Sequence, residues 1–451
     1  MSDWQTVKVA SFLTEREGRY KPDDKQIRNI PRLDKIDFSG TIHLSSKPTK
    51  TDMIIVYPGD LIISGINVAK GAIAIWEGDH PITATIHYSS YTFDKTKIDI
   101  DFFKRYLKSP VFVKTLQAQV KGGIKTEIKA KHLLPLEVSI PPLPVQKKTN
   151  NYFESFETEL SALSGEIGKQ TAFLAKLRQA VLQEAIEGKL TADWRKANPV
   201  RKGDVEYDAA ALLDKIKVEK QRLIAEGKIR KEKPLAPIGA EDVPFALPKG
   251  WVLVRLGEII LNPPRNGYSP KEANRETDIK SLKLGATTWG TFNPKEFKYI
   301  DDSIPDNSVF WLMPNNILIQ RSNSIDYVGV SAIYTGQPKE FIYPDLMMKI
   351  EVIEPISVVF IQKVLSSPFN REYYRNNAKG VQKTMPKITQ GIVSDTMIPL
   401  PPLAEQRAVV LHVEKILAMI DELEAQVKER KGQMEGILQA VLGEAFEGGI
   451  N

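Results

Sequence analysis

Apolar side chains recur at alternating spacings of three and four positions along two long stretches of the chain. These stretches cover residues 153–181 and 413–441, and each has a polar residue at the same repeat position, Gln170 or Arg430. That spacing places the apolar side chains on one face of an α-helix and is typical of a coiled-coil seam. The predicted seam positions are Phe153, Phe156, Leu160, Leu163, Ile167, Leu174, Leu177 and Val181, and then Val413, Ile416, Ile420, Leu423, Val427, Met434, Ile437 and Val441.

The two stripes have equal length, so each supplies the apolar face that the other must cover. We therefore expect two long helices that pack against each other; the alternative is that each helix packs only on its own neighbouring domain. Pro142 and Pro144 disfavour a helix upstream of the first stretch, and Gly188 suits its C-terminal end. About 43 residues at 1.5 Å per residue predict a spacer of about 65 Å.

A different pattern precedes each long helix. Short runs of β-favouring residues, bounded by glycine, proline and aspartate, predict strands joined by turns. We expect a short helix after the strands of each domain, so the fold class is α+β. The predicted strands lie at 53–57, 61–63, 72–76, 317–319, 328–330 and 346–350, and the short helices lie near 101–118 and 357–375.

The chain also repeats itself. Residues 141–146 and 179–188 recur at 401–406 and 439–448, which is an offset of 260 positions without an insertion. A long helix requires such an unbroken register, because one extra residue would rotate every later side chain by about 100°. We infer a tandem duplication with a first domain at 1–140, a first long helix at 141–190, a basic helical linker at 191–245, a second domain at 246–400 and a second long helix at 401–451.

Composition limits the classes of function. The 451 residues carry 62 basic and 56 acidic side chains, and the net charge of +6 permits a polyanionic partner without requiring one. The absence of cysteine excludes thiolate metal ligands and cysteine nucleophiles. The first residues do not form a secretion signal, and no stretch has the roughly 18 apolar residues of a membrane span. We therefore expect a cytoplasmic protein with no membrane partner.

Sequence motifs for catalysis are incomplete. Residues 262–265 (NPPR) are similar to the Asn-Pro-Pro-aromatic loop of amino-methyltransferases, but Arg265 occupies the place of the aromatic residue that stacks on an extruded base. Residues 343–345 (YPD) lack the Glu-x-Lys that would complete a metal-dependent nuclease motif. The sequence has no phosphate-binding Gly-x-x-x-x-Gly-Lys loop, and its five histidines lack metal-ligand spacing. We predict no catalytic residue, no metal site and no cofactor in this chain.

Basic and polar residues in loops are the remaining functional signal. Residues 121–129 and 379–387 place lysines, a glycine and a hydroxyl at the same repeat position, which suits phosphate contact. A solvated loop is the alternative for either string. Other loops supply donors that suit base edges. The candidate DNA-binding residues are Arg16, Arg19, Lys21, Lys70, Lys121, Lys125, Thr126, Arg265, Asn266, Tyr268, Arg321, Asn323, Lys379, Lys383 and Thr384.

Three strings resemble parts of the specificity (S) subunits of type I restriction-modification systems. Residues 247–258 (LPKGWVLVRLGE) resemble the opening of a target-recognition domain in that family. Residues 398–407 (IPLPPLAEQR) resemble the start of its conserved central helix, and residues 179–195, which begin QAVLQEA and end GKLTADWR, resemble the end of that helix. The resemblance covers the whole chain.

The resemblance implies two α/β target-recognition domains separated by two long conserved helices, which form an antiparallel coiled coil with pseudo-twofold internal symmetry. In that family each domain reads one half of a bipartite, asymmetric site in double-stranded DNA, and the S subunit is not catalytic. It joins two modification (M) subunits, which methylate adenine, and restriction (R) subunits, which cleave DNA with ATP. S-adenosylmethionine, Mg²⁺ and ATP are expected on these partners.

Two other classes of function stay open. A stand-alone DNA methyltransferase or nuclease requires activity from the chain alone, and a protein scaffold predicts no sequence-selective DNA binding even with M subunits present. The sequence does not specify the recognised bases, the gap between half-sites, the loop residues that touch bases, the presence of a working R subunit or the role of residues 191–245.

Overall fold

The computed structural model describes residues 4–45, 47, 49–119, 127–239, 245–379 and 385–447. The chain divides into two compact units, residues 1–170 with 426–451 and residues 171–425. Each of two long helices contributes one part to each unit. Within the described ranges, no helix is both long enough and apolar enough to cross a membrane.

The first unit combines short strands with helices in an α+β domain. Its strands are β1 (Gln5–Lys8), β2 (Leu13–Glu15), β3 (Arg32–Ile36), β4 (Ile42–Ser45), β5 (Met53–Val56), β6 (Leu61–Ser64), β7 (Ile73–Ile75), β8 (Ile82–Thr85), β9 (Tyr88–Phe93) and β10 (Glu137–Ile140). Its helices are α1 (Ile100–Lys108), α2 (Pro110–Gln119), α3 (Ala130–Leu133), the first part of α4 (Leu143–Ile186) and the last part of α10 (Leu403–Glu447).

The strands of the first unit form sheets in the orders β4-β3-β8-β5 and β2-β9-β6-β7, and β1 pairs with β10. The main core lies between the second of these sheets and the helices. Phe102 and Tyr106 of α1 and Phe153 of α4 are buried in it. Phe446, near the end of the second long helix, packs edge-on against Phe102 with 5.0 Å between ring centroids.

The second unit has the same kind of domain. Its strands are β11 (Val252–Arg255), β12 (Arg265–Asn266), β13 (Ile279–Leu282), β14 (Phe297–Ile300), β15 (Ile317–Gln320), β16 (Ser331–Ile333), β17 (Phe341–Ile342), β18 (Met347–Ile350) and β19 (Met397–Leu400). Its helices are α5 (Ala192–Ala197), α6 (Ala209–Ala225), α7 (Val358–Ser366), α8 (Pro368–Asn377), α9 (Gln390–Ser394) and the first part of α10 (Leu403–Glu447), besides the end of α4.

The two domains share most of their strand topology, which agrees with the internal repeat. One difference among the described residues is β5, which pairs with β8 in the first unit and has no counterpart beside β17 in the second. The sheet order β12-β18-β15-β16 in the second unit reproduces β2-β9-β6-β7 in the first, and β11 pairs with β19 as β1 pairs with β10. The β13–β14 hairpin, with β17 parallel to β13, likewise reproduces the β3–β4 hairpin with β8 parallel to β3. Both hairpins therefore occupy equivalent places in their domains.

The long helices run antiparallel, as the resemblance to specificity subunits implies. In the first unit, Phe153 near the start of α4 lies 6.4 Å from Phe446 near the end of α10, measured between ring centroids. In the second unit, Arg178 near the end of α4 pairs with Asp421 and Glu424 of α10. Each unit thus contains a segment of both helices, and the two segments have opposite chain directions.

A buried glutamine joins each domain to its long helix. Gln146 Oε1 accepts a hydrogen bond from the backbone N–H of Asp99, the N-cap of α1, and its Nε2 donates to the Pro141 carbonyl. Gln406 makes the same pair of bonds, from the N–H of Ser357, the N-cap of α7, and to the Pro401 carbonyl. The repeated string around Pro-Pro-Leu therefore marks a joint that is built twice.

Each predicted short helix is two helices. α1 ends before Ser109 and α7 ends before Ser367, and both serines precede a proline. Both have an extended backbone, with ψ of 152° and 151°, because the proline ring disfavours the helical conformation of the residue before it. In each domain Ser Oγ then accepts a hydrogen bond from the third residue of the next helix.

The predicted strand at 328–330 is wrong, because the strand begins at Ser331. Gly329 has φ of +76°, which belongs to a turn, and its N–H donates to the Gln320 carbonyl. The remaining predicted strands overlap observed ones. The predicted seam differs in part too, since Leu163, Leu423 and Ile437 are exposed. Near the end of α10 it is Leu438, one position later, that packs on the core.

The segment 191–225 is not a free linker. Glu405 near the start of α10 is buried and accepts hydrogen bonds from the Thr191 hydroxyl, from Arg195 Nη1 and from the Trp251 indole. Two backbone carbonyls of the same segment accept hydrogen bonds from the first two backbone amides of α10. Amides in the first turn of a helix have no acceptor within the helix itself. This part of the segment is therefore a component of the second unit.

Candidate nucleic-acid interface

The first unit holds its predicted DNA-binding residues in different ways. Arg16 donates three hydrogen bonds of 2.9–3.2 Å to the carboxylate of Asp60, which is buried. The hydroxyl of Ser90 donates to the same carboxylate at 2.8 Å. The hydrogen bonds from Arg16 to Asp60 favour the charged guanidinium and therefore raise the pKa of Arg16. Arg16 therefore has a structural partner in Asp60, while 40% of its side chain stays exposed. Its contact with DNA stays a prediction.

The other basic candidates of this unit are more accessible. Lys21 Nζ lies 3.1 Å from a carboxylate oxygen of Asp52, and three quarters of its side chain is exposed. Arg19 is exposed and lowers the pKa of Glu15 through its charge, although burial raises that pKa more. Lys70 is exposed and its ammonium lies 5.8 Å from the ring centroid of Phe38. These side chains are available to phosphates at the surface.

In the second unit, Arg321 and Asn323 both lie in the loop that follows β15. Arg321 Nη1 donates to the Asp345 carbonyl at 3.3 Å. Asn323 Nδ2 donates at 2.7 Å to Gln320 Oε1, which belongs to the buried last residue of β15. The amide of Asn323 is thus oriented from inside the domain, and Arg321 reaches the surface beside it.

Arg265, Asn266 and Tyr268 lie on or beside the short strand β12. The Arg265 carbonyl accepts a hydrogen bond from the Tyr343 hydroxyl at 3.2 Å, so the NPPR string leads into a sheet and not a free turn. The Asn266 Oδ1 atom is buried without a hydrogen-bond partner among the described residues. Tyr268 stacks on Phe310 with 5.7 Å between centroids, and a hydrogen bond to Asp302 raises the pKa of Tyr268.

The lysine strings are described only in part. Lys379 is exposed, and its backbone pairs with that of Lys387 in a short antiparallel bridge. The other predicted members of these strings, Lys121, Lys125, Thr126, Lys383 and Thr384, lie outside the described residues. Their role in binding phosphate stays a prediction.

Two supporting residues were not apparent from the sequence pattern. Asp60 is buried beneath Arg16, although its position after Pro58 and Gly59 indicated only a turn. Gln320 is the last residue of the otherwise apolar strand β15 and is fully buried. A polar residue at the end of an apolar strand is the sequence signal that could have indicated a buried polar network. Neither residue lies at the surface, and both orient residues that do.

The described residues hold no group of three or more metal-binding side chains. His43 lies 3.0 Å from Asp37, and His87 lies 3.2 Å from Glu127, so these two histidines pair with single carboxylates. The described part of the chain therefore presents cations, amides and aromatic rings to a ligand.

Comparison with known proteins shows which family part of the chain is similar to. Residues 248–430 match the model of the type I restriction modification DNA specificity domain. The chain is 29% identical over 262 residues to the type I restriction enzyme EcoEI specificity subunit of Escherichia coli, covering 57% of this chain and 42% of that one. It is 22% identical over 349 residues to the EcoKI specificity subunit of Escherichia coli K12, covering 77% of this chain and 65% of that one.

The matched regions therefore span less than two thirds of either relative. A solved structure described as the structural basis of complex assembly and conformational transition of the type I R-M system matches over 100% of this chain and 99% of its own. The TM-score is 0.58 at 15% identity, so this likeness concerns the fold.

Proposed function

We propose that this chain belongs to the family of type I restriction-modification specificity subunits, to which it is similar, and that it is the sequence-specific DNA-recognition subunit of a type I restriction-modification complex. Each domain reads one half of a bipartite, asymmetric site in double-stranded DNA. Partner subunits carry out adenine methylation and restriction at the site that this chain selects. The names of its relatives imply a non-catalytic role, and we extend that role to this chain.

One observation carries this proposal. Two domains that share most of their strand topology are each joined to a long helix by an equivalent buried glutamine, while their surface loops differ in length and residue type. A duplicated frame with different loops suits the reading of two different half-sites on one duplex, because direct readout depends on the few side chains that reach base edges.

The partners follow from the same role. We propose that two M subunits and the R subunits bind this chain, and that S-adenosylmethionine, Mg²⁺ and ATP are held by those subunits. In the string repeated at 179–188 and 439–448, the shared apolar residues Leu182, Ala185, Leu442 and Ala445 are buried. The exposed members supply similar side chains twice, as contact with two copies of one partner requires: Gln179, Ala180 and Glu184, and then Gln439, Ala440 and Glu444. We place the assembled complex in the cytoplasm, on DNA.

The long helices, of 44 and 45 residues, set the gap between the half-sites in this proposal. The loops set which bases each domain accepts. Sequence and gap are then separate properties, since each depends on a different part of the chain.

Two measurements test the proposal. Native mass spectrometry of this chain expressed with its M subunits should show a complex with two M copies. Methylation mapping in a host that carries the system should show one bipartite adenine-methylated site, which disappears when this chain is deleted. Methyl transfer or cleavage by the purified chain alone would support a stand-alone enzyme, and assembly without sequence-selective DNA binding would support a scaffold. Either result would contradict the proposal.

A further inference from the structure

Each domain exposes a large aromatic ring at an equivalent place in the fold. Phe38 lies in the turn of the β3–β4 hairpin, and Trp289 lies in the connection of the equivalent β13–β14 hairpin. Phe38 is 57% exposed and Trp289 is 78% exposed. Single exposed apolar residues are common on protein surfaces, but two rings at one position of a duplicated fold indicate a shared use.

Both rings lie against the same equivalent loop. In the first unit the ammonium of Lys70, in the loop between β6 and β7, is 5.8 Å from the centroid of the Phe38 ring. In the second unit Tyr327, in the loop between β15 and β16, is 6.4 Å from Trp289 between ring centroids. The second loop also carries the DNA-binding candidates Arg321 and Asn323. Each ring therefore adjoins a loop that carries donors suited to DNA.

The turn that carries Phe38 is held in one shape. The Asp37 carboxylate accepts hydrogen bonds from the backbone amides of Ser39 and Thr41, at 3.0 and 2.9 Å, and from the Ser39 hydroxyl. His43 lies 3.0 Å from its other oxygen. These interactions, led by the Ser39 hydroxyl, lower the pKa of Asp37.

The turn that carries Trp289 is held by a side chain from the interior of the domain. The buried Gln320 side chain donates to the hydroxyls of Thr287 and Thr288, at 3.1 and 3.2 Å. Its oxygen accepts the hydrogen bond from Asn323. One glutamine therefore orients both the aromatic turn and the amide of the neighbouring loop. A ring held in this way loses little conformational freedom on binding, which favours its use in recognition.

The differences between the rings favour DNA over a shared protein partner. Surfaces that contact two copies of one subunit need matching residues in both repeats, as proposed above for the exposed residues Gln179 and Glu184 with Gln439 and Glu444. The turn between β3 and β4 spans residues 37–41, whereas the connection between β13 and β14 spans residues 283–296 and carries a different ring. Residues that read two different half-sites are expected to differ in this way.

We propose that Phe38 and Trp289 are specificity-determining residues that stack on, or insert beside, a base within the half-site read by their own domain. The proposal rests on the proposed function. Aromatic side chains stack on bases that have left their neighbours, and apolar side chains wedge between base steps. One such contact contributes about 1–3 kcal/mol per base, so its loss should weaken binding roughly 5- to 150-fold.

The test uses the complex of this chain with its M subunits and a duplex that carries the mapped site. 2-Aminopurine is placed at each position of each half-site in turn, because its fluorescence changes when the group that stacks on it changes. We expect Trp289→Ala to weaken binding roughly 5- to 150-fold and to abolish the fluorescence change that wild-type binding causes in one half-site. Phe38→Ala should do the same in the other half-site, and Trp289→Phe should retain most of both signals.

Phe173→Ala is the matched control, because Phe173 is 64% exposed but lies on α4 in the second unit. It should leave DNA affinity and fluorescence unchanged. The proposal is overturned if Trp289→Ala and Phe38→Ala behave as the control does, or if the folded variants lose assembly with M subunits, which would assign the rings to a protein interface. A wild-type complex without a bipartite site would instead refute the proposed function, and this proposal with it.

Discussion

Replacing Gln406 by alanine tests whether a buried amide fixes the second domain to its long helix. Gln406 is fully buried, and its side chain makes hydrogen bonds of 2.9 Å with the Ser357 amide and with the Pro401 carbonyl. Loss of a partner costs about 1–3 kcal/mol for each buried polar group left behind. Since the bond at Ser357 is only partly buried, we expect a total of about 2–4 kcal/mol.

The assay is denaturant and thermal unfolding of the full chain, together with amide hydrogen exchange at the start of α7. For a unit of this size the melting transition should fall by about 4–16 °C. Faster exchange should be concentrated at residues 357–361, which the glutamine holds. Gln406→Glu keeps an acceptor for Ser357 but places a carboxylate oxygen against the Pro401 carbonyl, so at neutral pH it should be at least as destabilising as alanine.

Gln221→Ala is the control, because Gln221 is an exposed glutamine on α6 of the same unit. Such surface substitutions usually change stability by less than about 0.5 kcal/mol. If Gln406→Ala unfolds within that range of the control, with unchanged exchange at α7, the glutamine does not hold the domain and the reasoning is refuted.

Two further predictions concern the first unit. Arg16→Ala should lower the free energy of unfolding of the first unit by about 2–3 kcal/mol, because the buried Asp60 carboxylate loses three hydrogen bonds from a charged donor. Denaturant unfolding measures this change. A variant that is as stable as the wild type but has an altered base preference would contradict the structural role of Arg16. The pKa of Asp37 lies below its ordinary value of 3.8, so its hold on the turn is fully present above that pH and is lost as the pH falls through the lowered value. NMR should find the Ser39 and Thr41 amides still protected at about pH 4, and loss of protection already at that pH would oppose the prediction.

Much of the architecture could be predicted because it depends on long, regular patterns. The 3, 4 spacing and the repeat register located both long helices, and the structure places α4 at Leu143–Ile186 and α10 at Leu403–Glu447. The spacing located the buried face less well near the end of α10, where Leu438 packs in place of Ile437. A helix with 3.6 residues per turn drifts from a seam with a period of 3.5, so the packed face moves along a long helix.

The site was less predictable, because the role of a surface cation depends on neighbours that are distant in the chain. Arg16 has the donor geometry that suits a base, but Asp60, 44 residues away, holds it. Phe38 and Trp289 stand at equivalent places only through strand order, since the connections that carry them differ in length. No local pattern marks either case, whereas the repeated lysine strings were visible because both copies are similar in sequence.

The glutamine joint has a consequence for how new specificities arise. Each glutamine binds main-chain atoms, so the cap residue it contacts is free to vary, as aspartate in one domain and serine in the other illustrate. Any folded domain that presents the same backbone amide and carbonyl could form the same hydrogen bonds with the glutamine. Under the proposed function, recombination between chains would exchange one DNA-reading domain without a change at its attachment, and each exchange would alter the target in a single step.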